Sequence, residues 1–243
     1  MRTEEQGQLL LIIAQLRADH PRMSSRKMYL LVKPETMGRD SFEAFCNENG
    51  YKLKVKRNPV RTTDSRGTVH FENCLLDLEL TRVNQAWVSD ITYYRIKEDV
   101  YYLTFIMDLY SRRIVGYKAS KRLLTTHTTI PALEAAIAER KNIDLGGLIM
   151  HSDGGGQYYA TKFLELTRKN KFINSMAKSV YENPNAERVN GTIKNDYLLG
   201  YQPLNFGQLE KMLIKAITMY NMQRPHDSLN KLNPNAFELR ATA

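Results

Sequence analysis

The chain has 243 residues, of which 42% are hydrophobic, enough apolar material for one large domain or for a medium domain with a small companion. Its 35 lysines and arginines exceed its 26 aspartates and glutamates, and the formal net charge of +9 indicates a polyanionic partner such as nucleic acid. Cys46 and Cys74 are far apart and outside any Cys-x-x-Cys spacing, so we expect reduced thiols and neither a disulfide scaffold nor a zinc site. The apolar stretch 9–13 is too short for a membrane span or a signal peptide, and we expect a cytoplasmic protein.

The first part of the chain has apolar residues at helical spacing. One group precedes Pro21 and a second precedes Pro34, and the two groups are Leu9, Leu10, Ile12, Ile13, Leu16 and Met28, Leu30, Leu31. We predict a helical N-terminal region over residues 1–56. It is a candidate DNA-binding region, although no helix-turn-helix pattern is evident in it.

A basic segment follows this region. Residues 51–66, YKLKVKRNPVRTTDSR, carry six basic side chains against the single acid Asp64. We predict a basic strand that runs into a linker, with the linker at 57–83. The charge run also fits an ordinary solvated surface, but its place before the core favours contacts with DNA by Lys54, Lys56, Arg57 and Arg61.

Residues 84–243 are predicted to form the core domain. Three segments rich in β-branched and aromatic residues, separated by polar turns, predict an antiparallel meander over 86–95, 100–111 and 113–120. A helix over 126–140, a short strand over 145–150, a helix over 159–169, a strand over 171–176 and a helix over 186–198 follow, and a last long helix spans 206–222.

This order of elements predicts an α/β fold. Three antiparallel strands followed by parallel strands form a mixed sheet with flanking helices, and the small, mainly helical N-terminal region precedes it. Ribonuclease H folds have the same order, so we expect a ribonuclease-H-like core.

Three acids stand where such a sheet would bring them together. Asp90 is in the middle of the first strand, Asp153 follows the fourth strand, and Glu187 is on the helix that begins near NAERVNGTIK. Enzymes that use Mg²⁺ for phosphoryl transfer take oxygen ligands from a few carboxylates, and two ions can activate the attacking oxygen and stabilise the leaving one. Two of the three acids also have a structural interpretation: a salt bridge for Asp90 and a solvated helix surface for Glu187. Asp108 is the main rival to Asp90, and we interpret it as a turn residue.

Five ordered motifs resemble the insertion-sequence transposases of the DDE superfamily. They are W-x-S-D-I-T-Y (87–93), Y-L-x-x-x-x-D-L-Y-S-R-R-I-V-G-Y (102–117), H-S-D-x-G-x-Q-Y (151–158), N-A-E-R-x-N-G-T-I-K (185–194) and Y-N-x-x-R-P-H-x-x-L (220–229). The match is closest to the branch whose catalytic protein is made from a second reading frame, and the core is similar to that of retroviral integrases. The resemblance spans roughly residues 84–239.

The resemblance implies a metal-dependent DNA strand-transferase in which Asp90, Asp153 and Glu187 are the catalytic and metal-binding acids. It implies two Mg²⁺ or Mn²⁺ ions in the active complex. It also places Lys194, two helical turns after Glu187, against the transposon-end DNA, although the same lysine would suit a solvated surface. The last two acids are separated by 33 residues here, where the family spacing is commonly 35, and we place the shortening in the loop before Glu187.

Further DNA contacts are expected around these acids. The glycines at 154–156 let the backbone approach a metal ion or a phosphate, although they also suit a plain flexible turn. The motif Tyr220, Asn221, Arg224 and His226 is expected to cap and anchor the last helix. The remaining candidate DNA-binding residues are Gln157, Tyr158, Arg188, Asn190, Arg112 and Arg113.

The predicted function is cleavage at transposon ends followed by 3′-hydroxyl strand transfer into target DNA. The expected partners are transposon ends and target DNA, a second copy of the chain in a homodimer or larger synaptic complex, and an upstream-frame helix-turn-helix protein by fusion or association. The expected location is the bacterial nucleoid. Two alternatives stay open: an inactive or domesticated DNA-binding protein of the same fold, and a metal-dependent nuclease that cleaves without joining.

Overall fold

The structure, a computed structural model, describes residues 2–53, 71–177 and 182–241. The predicted DNA contacts of Lys54, Lys56, Arg57 and Arg61 lie outside these residues. Within them, no helix is both long enough and apolar enough to cross a membrane.

Three helices form the N-terminal region: α1 (Arg2–Asp19), α2 (Ser25–Val32) and α3 (Arg39–Glu48). The Ser24 side chain caps α2 by accepting a hydrogen bond from the backbone N–H of Lys27. A separate apolar cluster holds the three helices together and contains Leu9, Ile13, Met23, Met28, Phe42 and Cys46. The predicted helices are therefore present, but Ile12, which we predicted on the apolar face of α1, is 48% exposed.

The N-terminal helices pack directly on the rest of the chain. His20 contacts the Tyr197 hydroxyl through Nδ1 at 3.0 Å and the Gln223 side-chain oxygen through Nε2 at 3.0 Å. Gly200 approaches Pro21 so closely that a Cβ atom at position 200 would lie 2.2 Å from the Pro21 Cβ. No residue with a side chain fits there without moving the backbone, so close packing between these two regions requires a glycine.

A five-stranded mixed sheet forms the centre of the core. Its strands are β1 (Ala86–Ile96), β2 (Asp99–Asp108), β3 (Ile114–Ser120), β4 (Ile149–Ser152) and β5 (Ile173–Met176), in the order β3-β2-β1-β4-β5. The pairs β1–β2 and β2–β3 are antiparallel, and β4 and β5 add in parallel. This is the predicted arrangement, three antiparallel strands followed by parallel ones.

Helices cover both faces of the sheet. On one face, α4 (Thr129–Glu139) and α5 (Thr161–Lys169) pack around Trp87, Leu133 and Phe163. On the other face lie α6 (Pro184–Gly191), a π-helical stretch (Thr192–Leu198), α7 (Leu199–Tyr201) and α8 (Phe206–Met222). The predicted apolar face of α8 is confirmed. Leu209, Leu213, Ile217 and Tyr220 belong to the buried apolar cluster on this face of the sheet, and Met212 packs against it.

Three elements depart from the predictions. The strand predicted at 145–150 begins only at Ile149, because Gly147 turns the chain with φ +79° and pairing with β1 starts at Ala86 opposite Ile149. The helix predicted at 186–198 is α-helical only to Gly191 and continues as the π-helical stretch. A further helix, α9 (Pro234–Ala241), was not predicted.

Residues 71–83 fall inside the predicted linker and lie against the core. The Cys74 backbone N–H donates to the Ser175 hydroxyl at 2.9 Å, and the Met176 N–H donates to the Glu72 carbonyl at 3.3 Å. Leu75, Leu78 and Leu80 pack against the apolar cluster under α8. The domain boundaries at 56 and 83 stay predictions.

Candidate active site

Strand register brings two of the predicted acids together. Ser89 of β1 lies opposite Ser152 of β4 in a parallel pair, so Asp90 and Asp153 occupy the next positions on neighbouring strands. Neighbouring strands are separated by about 4.8 Å. Asp90 and Thr92 share the face of β1 that α6 covers, because side chains alternate along a strand.

Burial and mutual repulsion change the acidity of this pair. Burial raises the pKa of Asp90 to about 7, and the charges of Asp153 and Glu187 add to the increase. Burial also raises the pKa of Asp153, against which the Gly155 N–H, donating to Oδ1 at 3.1 Å, acts to lower it. Two carboxyl groups so placed are poor anions until a cation compensates them.

Two side chains, one from α6 and one from the π-helical stretch, contact β1 on the face that carries Asp90. The Asn190 amide on α6 donates to Oδ2 of Asp90 at 2.7 Å. The Lys194 ammonium donates to the Thr92 hydroxyl at 2.8 Å and lies 5.0 Å from the centre of the Tyr93 ring. Burial lowers the pKa of Lys194 and the charge of Asp90 raises it. Asn190 therefore orients a catalytic candidate, and Lys194 brings a positive charge to the site.

Tyr158 contacts β1 on the face of the sheet opposite Asp90. Its side chain is 2% exposed, its hydroxyl lies 2.8 Å from the Ser89 hydroxyl, and burial raises its pKa well above the usual range. Because the Ser89 hydroxyl donates its hydrogen bond to the Phe105 carbonyl, the Tyr158 hydroxyl is the donor in the hydrogen bond between Tyr158 and Ser89. The side chain of Asn183 donates to the Ser89 carbonyl at 3.1 Å. These contacts fix the backbone next to Asp90.

Glu187 lies on α6, and its side chain is exposed, three residues before Asn190. It is near enough for its charge to raise the pKa of Asp90. Yet within residues 2–53, 71–177 and 182–241 no three His, Cys, Asp or Glu side chains are clustered closely enough to hold a metal ion. The structure thus brings Asp90 and Asp153 together and leaves Glu187 at the rim.

Asp108, the rival to Asp90, is a turn residue. Its Oδ1 accepts hydrogen bonds from the Ser111 N–H and hydroxyl, and its Oδ2 accepts one from the Asn84 N–H at 2.6 Å. It lies opposite Trp87, three positions before Asp90 along β1. With its oxygens engaged in the turn and its side chain fully buried, it is not placed to bind a metal ion.

The other predicted DNA contacts occupy different settings. Tyr158 and Asn190 are buried and bonded within the site, and Gln157 is half-buried beside it. Arg113 forms ion pairs with Glu139 and Glu238 through its two terminal guanidinium nitrogens. Arg112 and Arg188 lie away from the acids, on the other side of α6. Direct DNA contact by these residues stays a prediction.

Sequence reasoning missed Thr92, Ser89 and Asn183 as parts of the site. The first two were within reach, because alternation along β1 places Thr92 on the face of Asp90 and Ser89 on the opposite face. Asn183 carries no such signal, since its partner is 94 positions away in sequence.

The raised pKa of Asp90 predicts a pH-dependent stability difference in metal-free protein. The unfolded carboxyl ionises near 3.8 and the folded one near 7, so the wild type loses stability as pH rises through this window. Asp90→Asn removes the ionisation, and we expect it to be more stable than wild type by up to about 4 kcal/mol near pH 8, with little difference near pH 4. Urea unfolding across the pH range measures this. Asp144→Asn, at an exposed turn, is the control, and a difference independent of pH would contradict the prediction.

The sheet order and the paired acids define a ribonuclease-H-like core, and solved structures share it. The catalytic core domain of HTLV-2 integrase, in complex with magnesium, is 23% identical and matches 64% of this chain and 95% of its own with a TM-score of 0.50. The simian T-cell lymphotropic virus intasome, in complex with a PP2A regulatory subunit, contains a chain that is 20% identical. It matches 66% of this chain and 57% of its own with a TM-score of 0.54.

Sequence comparisons identify the family. Two models of the Integrase core domain match residues 81–179 and 169–234. The "Insertion element IS600 uncharacterized 31 kDa protein" of Shigella sonnei is 32% identical over 83% of this chain and 75% of its own length. "Transposase InsF for insertion sequence IS3A" of Escherichia coli is 30% identical over 80% of this chain and 68% of its own length. The chain therefore belongs to the insertion-sequence transposases with an integrase core domain, a family of DNA polynucleotidyl transferases.

Proposed function

We propose that the chain cuts DNA at the ends of its element and joins the exposed 3′-hydroxyl to a second DNA, with divalent ions bound by Asp90, Asp153 and Glu187. The pair of half-buried carboxyl groups, one on β1 and one directly after the parallel strand β4, carries this proposal, because burial raises the pKa of both. Two ionised carboxylates held this close lower the stability of the fold unless a cation binds between them. Catalytic sites typically contain groups that destabilise the fold in this way.

The donor set suits hard divalent cations. Carboxylate oxygens are the preferred protein ligands of Mg²⁺ and Mn²⁺, and the site offers no competing thiolate or imidazole among the residues just described. We propose that Asp90 and Asp153 bind first and that Glu187, exposed on α6, completes the site by turning its side chain inward. The active complex then contains two Mg²⁺ or Mn²⁺ ions.

When bound, the ions supply Lewis acidity that activates the attacking hydroxyl and stabilises the leaving oxygen. The chain's own residues supply positioning and charge. Asn190 holds the Asp90 carboxylate through Oδ2, and the Gly155 N–H holds the Asp153 carboxylate through Oδ1. Lys194, already beside the acids, neutralises a DNA phosphate near the cut. Gln157 contacts the transposon end from the loop after β4.

The chemistry of joining two DNA ends suggests the partners. Two DNA ends are joined to one target, so we propose that the chain works as a homodimer or a larger synaptic complex on the bacterial nucleoid. The HTLV-2 core domain is described in a dimeric form. An upstream-frame helix-turn-helix protein, fused or associated, supplies recognition of the terminal repeat.

A strand-joining assay with a pre-cut, labelled transposon end tests the proposal. With any upstream-frame partner added, we expect joined products in Mg²⁺ or Mn²⁺ and none in EDTA. An uncut end in parallel tubes reports cleavage. Cleavage without joining would establish a nuclease instead, and DNA binding with neither reaction would establish an inactive copy. Either result overturns the proposal.

A further inference from the structure

A cavity of about 190 Å³ lies on the far side of α6 from the acids. Asn185, Arg188 and Thr192 line it, whereas Asn190 faces Asp90. At 100° per residue, Arg188 and Thr192 lie roughly 100° to 140° around the helix from Glu187. The cavity, which we call the basic cavity, is therefore separate from the acidic site. Its other walls are α2, the turn between β2 and β3, and the segment after α8.

Positive charge dominates this cavity. Lys27, Arg112, Arg188 and Arg224 line it, and the one carboxylate in the lining, Asp227, forms an ion pair with Lys231. Lys27 comes from the N-terminal region and the other three cations come from the core. Four cationic side chains from four separate segments converge on one space.

Two buried polar atoms in the lining lack a hydrogen-bond partner within the described parts of the chain. They are Nη1 of Arg224 and Nε2 of His226. Arg224 is 8% exposed; its Nη2 donates to Asp196 at 2.5 Å, so the guanidinium is fixed in place while one of its nitrogens stays unsatisfied. A buried, unsatisfied guanidinium nitrogen costs free energy that a bound anion would recover.

The acidity of the neighbouring groups agrees with an excess of positive charge. Burial lowers the pKa of Lys27, and the charge of Arg224 lowers it further. Burial lowers the pKa of Arg112, and Arg188 adds to this effect. Burial, followed by the charges of Lys27 and Arg224, lowers the pKa of His226 to about 3. Each of these groups would be stabilised by an anion among them.

We propose that the basic cavity binds a phosphate group of the DNA backbone, a second anchor for the DNA that reacts at Asp90 and Asp153. This inference rests on the proposed function. An α-helix with its side chains is about 10–12 Å across, and phosphates recur about every 3.4 Å of duplex axis on each strand. A phosphate about three nucleotides from the reacting one can therefore reach the far side of α6.

The motif at residues 220–229 thereby acquires a binding role. We had expected Tyr220, Asn221, Arg224 and His226 to cap and anchor the last helix. Asn221 does anchor β3, through hydrogen bonds with the Ile114 N–H and carbonyl. Arg224 and His226 also line the basic cavity, and each has one buried polar atom without a hydrogen-bond partner in the described parts of the chain.

Arg188 offers the sharpest test because its side chain is exposed and its loss should leave the fold intact. DNA affinity is measured in EDTA with Asp153→Asn protein, on end duplexes in which single phosphates are replaced in turn by neutral methylphosphonates. We expect Arg188→Ala to weaken binding about 10-fold and Arg188→Lys to weaken it less. Replacing one particular phosphate by a methylphosphonate should weaken DNA binding by the Asp153→Asn parent to a similar degree. The same replacement should hardly change DNA binding by the protein that also carries Arg188→Ala, since both changes remove the same contact. Arg168→Ala, exposed on α5, is the matched control and should show no such coupling.

The outcomes separate the sources of the anion and the two proposals. Inorganic phosphate that stabilises the parent but not Arg188→Ala, without coupling to any DNA position, would overturn the DNA assignment in favour of a free anion. No coupling and no phosphate effect would overturn the cavity as an anion site. If Arg188→Ala and one methylphosphonate position are coupled but the wild type neither cuts nor joins DNA, the phosphate contact is supported and the proposed function is rejected. If the wild type cuts and joins DNA but no such coupling is found, the proposed function is supported and the phosphate contact is rejected.

Discussion

Asp153→Asn is expected to abolish both cleavage and joining, with a loss of about 10³-fold or more, while folding and DNA binding persist. The change keeps the size of the side chain and removes the charge that a divalent ion needs. Glu187→Gln should lose activity to a similar degree and yet keep measurable Mn²⁺ binding, because Glu187 is exposed and, in the order that we propose, Asp90 and Asp153 bind the ion first. Rates on transposon-end DNA and Mn²⁺ titration by calorimetry measure the two effects.

Two exposed acids provide matched controls for this pair. Asp144→Asn changes a turn before β4, and Glu165→Gln changes the surface of α5. Both should retain wild-type rates. Undiminished activity in Asp153→Asn would place the chemistry elsewhere. Loss of Mn²⁺ binding in Glu187→Gln as complete as in Asp153→Asn would reject the order of binding that we propose.

Glu238→Ala is expected to lower the free energy of unfolding by about 3–5 kcal/mol, because it leaves the buried Arg140 and the half-buried Arg113 without their shared carboxylate. Glu238 is 7% exposed on α9 and accepts hydrogen bonds from Arg113 at 2.9 Å, from Arg140 and from the Ser111 hydroxyl at 2.8 Å. Burial acts to raise its pKa, but Arg140 and Arg113 outweigh burial and the pKa is lowered. The cluster joins α9, α4 and the turn between β2 and β3.

Urea unfolding of Glu238→Ala should be compared with Glu210→Ala. Glu210 is exposed and its ion pair with Lys118 spans 3.9 Å, so its loss should cost less than about 1 kcal/mol. Glu238→Gln, which keeps the shape without the charge, should fall between the two. Equal stability of Glu238→Ala and Glu210→Ala would show that the buried cluster contributes nothing net.

Periodicity and composition predicted the order of the core elements well. Segments rich in β-branched and aromatic residues between polar turns identified β1, β2 and β3, and the 3.6-residue apolar spacing identified α4 and α8. The fold class follows from the order of elements, and the comparison with integrase cores confirms it. Asp90 and Asp153 are neighbours because β4 runs parallel to β1 and ends level with the middle of that strand.

Local irregularities were not predictable from the same signals. The π-helical stretch at 192–198 keeps an apolar spacing close to that of an α-helix, so Ile193 and Tyr197 are buried as either form would require. The early start of the predicted fourth strand was wrong because an apolar run beside glycines does not reveal where pairing begins. The helix α9 had a usable signal, since the Asn233 side chain caps it and Pro234 occupies its first position.

Contacts across long sequence distances set the rest of the site. The Asn190–Asp90 bond joins residues 100 positions apart, and the Lys194–Thr92 bond joins residues 102 apart. The sequence around either residue of such a pair does not indicate which residue it will bond. We predicted Asn190 as a DNA contact beside the acids. In the fold its side chain turns inward onto the Asp90 carboxylate, and a direct DNA contact stays a prediction.

The close approach of Gly200 to Pro21 limits which parts of their transposases two insertion sequences can exchange by recombination. A hybrid that joins the first three helices of one transposase to the core of another keeps this packing only when the core retains glycine at that point. A crossover inside the basic segment would otherwise bring a side chain against the proline ring and force the helices off the core. Selection on hybrids would thus act at a position that belongs neither to the catalytic acids nor to the basic cavity.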